Sequence, residues 1–169
     1  MRNIKGKSEF EQKLVDLARV TRVVKGGKRL RFRACMVIGD YNGKVGFGVA
    51  KGADVSTAID KSVRKAKKNL ITIDVSQGTI PHEVRAKYKA ACILLRPAKK
   101  GHGLVSGGVV RIVLSLVGFK NLTTKILGSN NKINNVKATI KALNMLISVQ
   151  PGLDSSKRSL AGADKKEKI

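Results

Sequence analysis

The side chains best suited to chemistry in this chain are cations placed between glycines, in the stretch Val23–Gly52. This stretch runs VVKGGKRLRFRACMVIGDYNGKVGFGVAKG, and Asp40 is the single acidic residue within it. Lysine and arginine side chains, together with the N–H groups of a glycine-rich backbone, are groups that proteins use to bind phosphate. The pattern therefore favours recognition of phosphates over the making or breaking of bonds.

The composition of the whole chain has the same bias. Its 169 residues include 35 Lys and Arg against 11 Asp and Glu, which gives a formal net charge of +24. A compact protein with this charge repels itself and attracts polyanions, and nucleic acid is the polyanion that we expect. The chain has no Trp, four Phe and two Tyr, so it offers few platforms for stacked bases. Recognition by shape and phosphate is therefore favoured over base-by-base readout.

Sites for metals and for catalysis lack the residues that they need. Cys35 and Cys92 form no CxxC pair, and His82 and His102 stand alone, so we predict no zinc site. The loop GHGLVSGG at Gly101–Gly108 is glycine-rich, like loops that bind phosphate before a helix, and this raises a phosphate-transferring enzyme as an alternative. The sequence places no paired carboxylates near it to hold magnesium or act as a base. We expect no catalytic residue, cofactor, metal or small-molecule substrate.

The sequence also predicts where the protein is found. No apolar run approaches the ~20 residues of a membrane span, and the N-terminus lacks the apolar core of a secretory signal. Two cysteines without a pairing motif fit a reducing compartment. We expect a soluble cytoplasmic protein with no membrane contact.

Hydrophobic periodicity predicts the elements that would position the cations. Alternation of apolar and polar residues indicates an antiparallel β-meander, and helical spacing is found on either side of it. The even-numbered residues from Leu30 to Ile38 would face a core, and Arg31 and Arg33 would face the other way. The predicted elements are a helix at Ser8–Leu17, strands at Ala18–Val24, Arg29–Ile38 and Lys44–Ala50, and a helix from Val55 to Leu70 with Asp54 as its N-cap.

Three features of this first half have both a functional and a structural interpretation. The turn Lys25–Lys28 is either a finger for phosphates or only a glycine hairpin, and cations without an internal counterion favour the finger. Gly46 and Gly48, inside a strand, indicate close approach of RNA or of a neighbouring element, and the sequence leaves both open. The basic face of helix 55–70 would repel itself, which favours phosphate contact over simple solvation.

From Ile71 the pattern restarts, which predicts a second unit with its border near residues 70–77. Val109–Val117 is almost entirely apolar and β-branched, so local pattern alone predicts a buried strand. A buried helix opened by Gly107 and Gly108 is the alternative. The other predicted elements are strands at Ile71–Val75, Pro81–Lys87, Lys89–Leu95 and Leu122–Leu127, a loop at Pro97–Gly108, and a helix at Asn130–Ile147.

Five segments together resemble a known family. In this order along the chain they are closely similar to the bacterial-type family of small-subunit ribosomal protein S-five, over Phe10 to Leu146. The segments are Val23–Gly52, AKKNLI at Ala66–Ile71, GTIPHEV at Gly78–Val84, GHGLVSGG at Gly101–Gly108, and GSNNKINNVKATIKAL at Gly128–Leu143.

The resemblance implies an α+β fold of two domains. The first is a double-stranded-RNA-binding-like α-β-β-β-α unit, and the second is a β-sheet with two helices, in which Val109–Val117 is helical. We therefore expect a helix there, against the local pattern. The implied division is a flexible basic N-terminus at 1–9, the first domain at 10–74, the second at 75–150, and a disordered tail at 151–169.

The resemblance also implies a function. In that family the glycine finger of the first domain reaches 16S rRNA near the neck of the small subunit. The second domain meets ribosomal protein S-four, S-eight packs on another side, and the mRNA entry channel is nearby. The implied protein performs no reaction, holds rRNA and supports translational accuracy. A free double-stranded-RNA-binding regulator is the alternative.

Charge and resemblance together give two sets of candidate site residues. Lys132 departs from the family, in which many relatives have proline, so we expect the helix to begin differently there. The RNA-binding candidates are Arg19, Arg22, Lys25, Gly26, Gly27, Lys28, Arg29, Arg31, Arg33, Asn42, Lys44, Lys51, Lys61, Arg64, Lys65, Lys67, Lys68, Lys125, Asn130, Asn131 and Lys132. The protein-interface candidates are Gly101, His102, Gly103, Gly107, Gly108 and Arg111.

Overall fold

The computed structural model describes residues 9–75 and 77–147. The strands and helices form two four-stranded sheets and three helices, so the fold is α+β, as the sequence predicts. The first sheet has the order β1-β2-β3-β4 and the second β5-β6-β8-β7, with β7 parallel to β8. The elements are β1 (Glu11–Val24), β2 (Gly27–Gly39), β3 (Lys44–Gly52), α1 (Val55–Lys68), β4 (Leu70–Thr72), β5 (Val84–Tyr88), β6 (Ala91–Pro97), β7 (Leu104–Val105), α2 (Gly108–Val117), β8 (Leu122–Ile126) and α3 (Lys132–Ile147).

The first strand corrects the sequence prediction of a helix at 8–17. Residues 11–17 extend β1 and pair antiparallel with β2. A β-bulge between Leu14 and Asp16 adds one residue to β1, so Leu14 and Leu17 lie on the same face of the sheet. A spacing of three between apolar residues, which normally indicates a helix, is here produced by a bulged strand. Ser8 lies outside the described residues.

The second and third strands confirm the meander, and α1 packs on one face of it. A Cβ on Gly46 would lie 2.5 Å from the carbonyl oxygen of Ala66, and one on Gly48 would lie 2.0 Å from that of Ser62. Packing of α1, rather than approach of RNA, therefore explains both glycines. The helix begins after its N-cap Asp54, as predicted.

The short strand β4 belongs to the first sheet. It pairs with β3, and Ile71 lies opposite Val45. The segment at Ile71, where the hydrophobic pattern restarts, is therefore the last strand of the first sheet and not the first strand of the second. The predicted strand at 71–75 is shorter than expected, because β4 ends at Thr72.

The second helix settles the ambiguity at 109–117. Val110, Val113 and Leu114 have 0% exposure, because α2 packs against strands of both sheets and against α3. A short segment that is apolar and β-branched at most positions cannot be assigned to helix or strand from local pattern alone. The strand prediction from local pattern is therefore wrong, and the helix implied by the resemblance is confirmed.

Three further boundaries in the second half differ from the sequence prediction. The predicted loop at 97–108 contains the short strand β7. Lys89, predicted to open a strand, has a φ of 52° and lies in the turn between β5 and β6. The last helix begins at Lys132 rather than Asn130. Short strands and turns depend on pairing partners that are distant in sequence, which local pattern does not contain.

The two sheets share one hydrophobic core. Val37 and Val45 of the first sheet belong to the same buried cluster as residues of α2, α3 and the second sheet. The turn between β2 and β3 also docks on the end of α2, where Tyr41 N–H donates to the Leu116 carbonyl at 3.0 Å and Gly43 N–H to that of Val117 at 2.9 Å. These donors satisfy carbonyls that a helix end otherwise leaves free. The junction is thus packed and hydrogen-bonded.

Candidate nucleic-acid interface

A two-stranded arm projects from the first sheet. Pairing of β2 with β3 ends where Phe32 meets Gly52, whereas pairing of β2 with β1 continues to the turn at Val24 and Gly27. Residues 18–31 therefore form a hairpin without a third strand, which we call the arm. The arm holds six of the predicted RNA-binding cations: Arg19, Arg22, Lys25, Lys28, Arg29 and Arg31.

The two faces of the arm differ in chemistry. The face on the side of α1 carries the exposed apolar residues Val23 and Leu30, which are 73% and 44% exposed. The opposite face carries Arg22, Arg29 and Arg31, because side chains alternate along paired strands. The sequence correctly separates Arg31 from its even-numbered neighbours, but Leu30 is not part of a core. Arg19 and Lys28 share the face of Val23.

A hollow of about 400 Å³ lies on the arginine face of the arm. Its lining includes Val20 and Val24, which are half-buried, and the exposed cations Arg22, Arg29 and Arg31. Lys51 of β3 closes one side. No acidic residue is among the described residues that line it. The arm thus presents a concave, cationic surface with an apolar floor.

The tip of the arm is a glycine turn open to solvent. Lys25 and Lys28 are exposed, and a Cβ on Gly26 would meet no atom within 4 Å. Gly27 has a φ of 139°, which side-chain-bearing residues rarely adopt. The hairpin geometry therefore requires Gly27, while no neighbouring atom explains Gly26.

Arg33 differs from the other arginines of β2 because it has a counterion. Its Nη2 donates to Asp16 at 3.2 Å, and Lys132 of α3 lies 3.6 Å from the same carboxylate. The Asp16 side chain is 18% exposed. The expectation that cations of this region lack internal partners is thus wrong at Arg33. The cluster joins the first sheet to the start of α3.

The outer face of α1 is basic, as predicted. None of its cations is ion-paired within residues 9–75 and 77–147. The exposed members are Lys61, Arg64, Lys65, Lys67 and Lys68. Asn42 and Lys44 are also exposed, but they lie at the turn that docks on α2, far along the sheet from the tip of the arm.

The predicted residues of the second domain fall into two places. Asn131 is the N-terminal cap of α3, because its Oδ1 accepts from Asn134 N–H at 3.1 Å. A capping side chain and the Lys132–Asp16 contact replace the proline expected at this helix start. Asn130 is exposed beside them. Lys125 lies apart from these residues, on β8.

A second basic surface was not predicted from the sequence. In β5 the buried residues Val84 and Ala86 alternate with exposed Arg85 and Lys87, and both α2 and α3 lie on the buried side. The face of the second sheet away from the helices therefore carries Arg85 and Lys87 together with Arg96 and Lys125, whose strands pair with one another. The alternation in VRAKY was the signal that could have found it.

Two of the cations on this open face, Arg96 and Arg85, have side-chain partners. Arg96 pairs with Glu83 at 2.6 Å, and both side chains are about half exposed. Arg85 Nε donates to Cys92 Sγ at 3.3 Å, and this bond raises the pKa of Arg85. Arg85 therefore stays charged, and its contact with sulfur fixes its direction along the sheet.

The predicted protein-interface loop is anchored at its base. Asn121 Oδ1 accepts from Gly101 N–H at 3.0 Å and from Gly103 N–H at 3.2 Å. Arg111 Nη2 donates to the Leu104 carbonyl at 2.9 Å. His102 and Gly108 are exposed, and Gly107 is the N-cap of α2. The loop is thus held in one shape while its outer edge faces solvent.

No grouping of residues suited to metal binding or catalysis occurs in the described parts of the chain. No three His, Cys, Asp or Glu side chains cluster there. Cys35 is buried, and burial raises the pKa of its thiol to about 11, so it is protonated near neutral pH. Among the described helices none has the length and apolarity to cross a bilayer.

Fold and surfaces together define a class of protein: an α+β protein of two joined sheets that exposes many cations. Two family models match the chain. Ribosomal protein S5, N-terminal domain, matches residues 10–74, and ribosomal protein S5, C-terminal domain, matches residues 86–157. The small ribosomal subunit protein uS5c of Emiliania huxleyi is 51% identical over 139 residues, 82% of this chain and 87% of the relative.

The chain therefore belongs to the ribosomal protein S5 family. It is a ribosomal protein of the small subunit and not an enzyme. The resemblance found in the sequence and the two-domain organisation that it implies are confirmed.

Proposed function

We propose that this structural protein of the small subunit binds 16S rRNA near the neck, with the arm as its main contact. The observation that carries the proposal is the group of exposed arm cations that have no acidic partner among the described residues. Such cations repel one another until phosphates neutralise them. Binding to RNA releases the counterions of those phosphates and makes affinity steeply dependent on salt.

Contact through both domains is supported by the way the domains are joined. Lys132, the first residue of α3, lies beside Asp16 and Arg33, at the inner end of the arginine face. A single RNA surface could therefore touch the arm and the start of α3 together. The basic outer face of α1 offers phosphates a further surface. These surfaces belong to one packed body, which suits a protein that fixes RNA segments relative to each other.

The loop at 101–108, with Arg111, is proposed to meet ribosomal protein S-four, and S-eight is proposed to pack elsewhere on the chain. The support is the anchoring of the loop by Asn121, which presents an exposed edge at little cost in conformational entropy. Through this contact, and through its position near the mRNA entry channel, the protein would support translational accuracy.

Fractionation of ribosomes tests the proposal. In an extract of cells that express the full chain, the protein should sediment with small subunits and remain there after a high-salt wash. The proposed contacts with neighbouring ribosomal proteins would hold it there in addition to phosphates. A free double-stranded-RNA-binding regulator would be released by the wash, since its binding rests on phosphate contacts alone. Recovery of the chain only as free protein would contradict the proposal and favour that regulator.

A further inference from the structure

The hollow on the arm has a shape that phosphate binding alone does not explain. A duplex backbone follows exposed cations and needs no cavity. The hollow has a volume of about 400 Å³, which lies within the range of roughly 300–1,000 Å³ found for small-molecule sites. Its size therefore suits one inserted group rather than a surface track.

The floor of the hollow is apolar. Val20 and Val24 are four residues apart and lie on the same face of β1, one on each side of Arg22. Both are half-buried. Burial of apolar surface against these valines is favourable only for an apolar group. A phosphate gains nothing from this floor, whereas the face of a base does.

The rim of the hollow carries cations that repel one another. Arg22 lies directly opposite Arg29 in the β1–β2 pairing, and Arg31 lies opposite Val20. Like charges directly opposite each other on paired strands destabilise the pair. An anion between Arg22 and Arg29 would remove that repulsion, and arginine planes can also stack on a base.

We infer that the hollow binds one unpaired nucleotide of the RNA, with its base against Val24 and its phosphate between Arg22 and Arg29. The inference rests on the proposed function and names the kind of RNA that the arm selects: a duplex interrupted by an unpaired nucleotide. The arm would thus recognise phosphates along the RNA and, at one position, a base that has left its stack.

The test compares two RNA hairpins that differ only by one unpaired nucleotide in the stem, 2-aminopurine. Binding to the full chain is measured by anisotropy of an end label at fixed salt. Burial of one face of the base against the apolar floor favours binding, so the bulged hairpin should bind about tenfold more tightly. The fluorescence of 2-aminopurine should rise on binding, because the base leaves its neighbours.

Adjacent valines on opposite faces of β1 provide a matched control. Val24→Gln replaces part of the floor, whereas Val23→Gln makes the same change on the α1 side, where Val23 is 73% exposed. Neither changes the charge. Val24→Gln should lose the tenfold preference and the fluorescence rise, and Val23→Gln should keep both. Retention of the preference in Val24→Gln overturns the inference.

Two further outcomes separate this inference from its basis and from a rival ligand. Equal affinity for both hairpins overturns the inference but leaves RNA binding intact, whereas failure to bind either hairpin contradicts the proposed function. Saturable binding of free adenosine monophosphate, with competition against the bulged hairpin, would make the hollow a site for free nucleotides and overturn its assignment to RNA.

Discussion

At the scale of single residues, neighbouring cations of this chain differ in whether they have an acidic partner, and composition alone does not show which of them do. Arg33 lies two residues from Arg31 on the same face of β2, yet Arg33 contacts Asp16 while Arg31 lines the hollow. The carboxylate of Asp16 also faces Lys132 from the second domain. One acid thus gives two of the predicted RNA-binding cations an internal partner.

Asp16→Asn should therefore destabilise the fold. It would leave Arg33 and Lys132 close together without a counterion, in a place where Asp16 is only 18% exposed. We expect a loss of about 1–2 kcal/mol in the free energy of unfolding, below the cost at a fully buried pair because Arg33 is partly solvated. Urea denaturation of the free protein measures it.

The exposed pair of Glu83 and Arg96 supplies the control for this prediction. Its side chains are 49% and 60% exposed, so Glu83→Gln should change the free energy of unfolding by less than about 1 kcal/mol. An Asp16→Asn variant as stable as Glu83→Gln would contradict a structural role for the cluster.

The surroundings of Gly48 and Gly26 predict different effects of substitution on the stability of the protein. Gly48→Ala places a Cβ 2.0 Å from the Ser62 carbonyl oxygen, so α1 must move, and overpacking of this kind costs about 1–3 kcal/mol or more. Gly26→Ala meets no atom within 4 Å and should leave stability within about 0.5 kcal/mol of the parent. Thermal unfolding of both variants checks this. A fully stable Gly48→Ala protein that had lost RNA affinity would instead favour RNA approach at this glycine.

At the scale of elements, hydrophobic periodicity predicts some strands and helices correctly and others wrongly. The strands β2 and β3, the helix α1 and the helix α3 could be predicted, because the apolar residues of each recur with the period of the element that it forms. The bulge near Leu14 gives β1 a helical spacing, and the apolar, β-branched residues of α2 resemble those of a buried strand. The open basic face of the second sheet was missed because its strands are short and pair with distant segments. Local pattern contains neither the bulge nor the tertiary cover.

The arm is the element that the proposed function depends on most. Arg22→Gln combined with Arg29→Gln removes two cations that face each other across the strands. Each lost phosphate contact lowers the slope of log affinity against log salt by about 1, so the double variant should bind 16S rRNA fragments more weakly and with a slope smaller by about 1–2, depending on whether the two arginines share one phosphate. Titrations at several salt concentrations measure both effects.

The control removes the same number of charges from side chains that already have partners. Lys13 pairs with Glu11 at 3.5 Å, and Lys141 donates to the Lys87 carbonyl at 3.2 Å. Lys13→Gln with Lys141→Gln should leave the salt slope near that of the parent. Equal loss of slope in the two double variants would show that only net charge matters and would contradict a specific role of the arm.

At the scale of the whole molecule, the shared core and the junction at Tyr41 join the two domains into one cooperative unit. Gly118 ends α2 with a φ of 106°, and a Cβ there would lie 2.1 Å from the Tyr41 carbonyl oxygen. Gly118→Ala should therefore reduce hydrogen-exchange protection in β2 as well as in α2, since a cooperative unit opens together. Loss of protection confined to the second domain would contradict this coupling.

Footprinting of small-subunit RNA, with and without the full chain, tests the central claim most directly. If the chain holds 16S rRNA through the arm, α1 and the start of α3, protection should appear at a few separate places in the neck and body, and the Arg22→Gln, Arg29→Gln variant should lose those at the neck first. Protection spread over arbitrary duplexes, unchanged in that variant, would contradict the account.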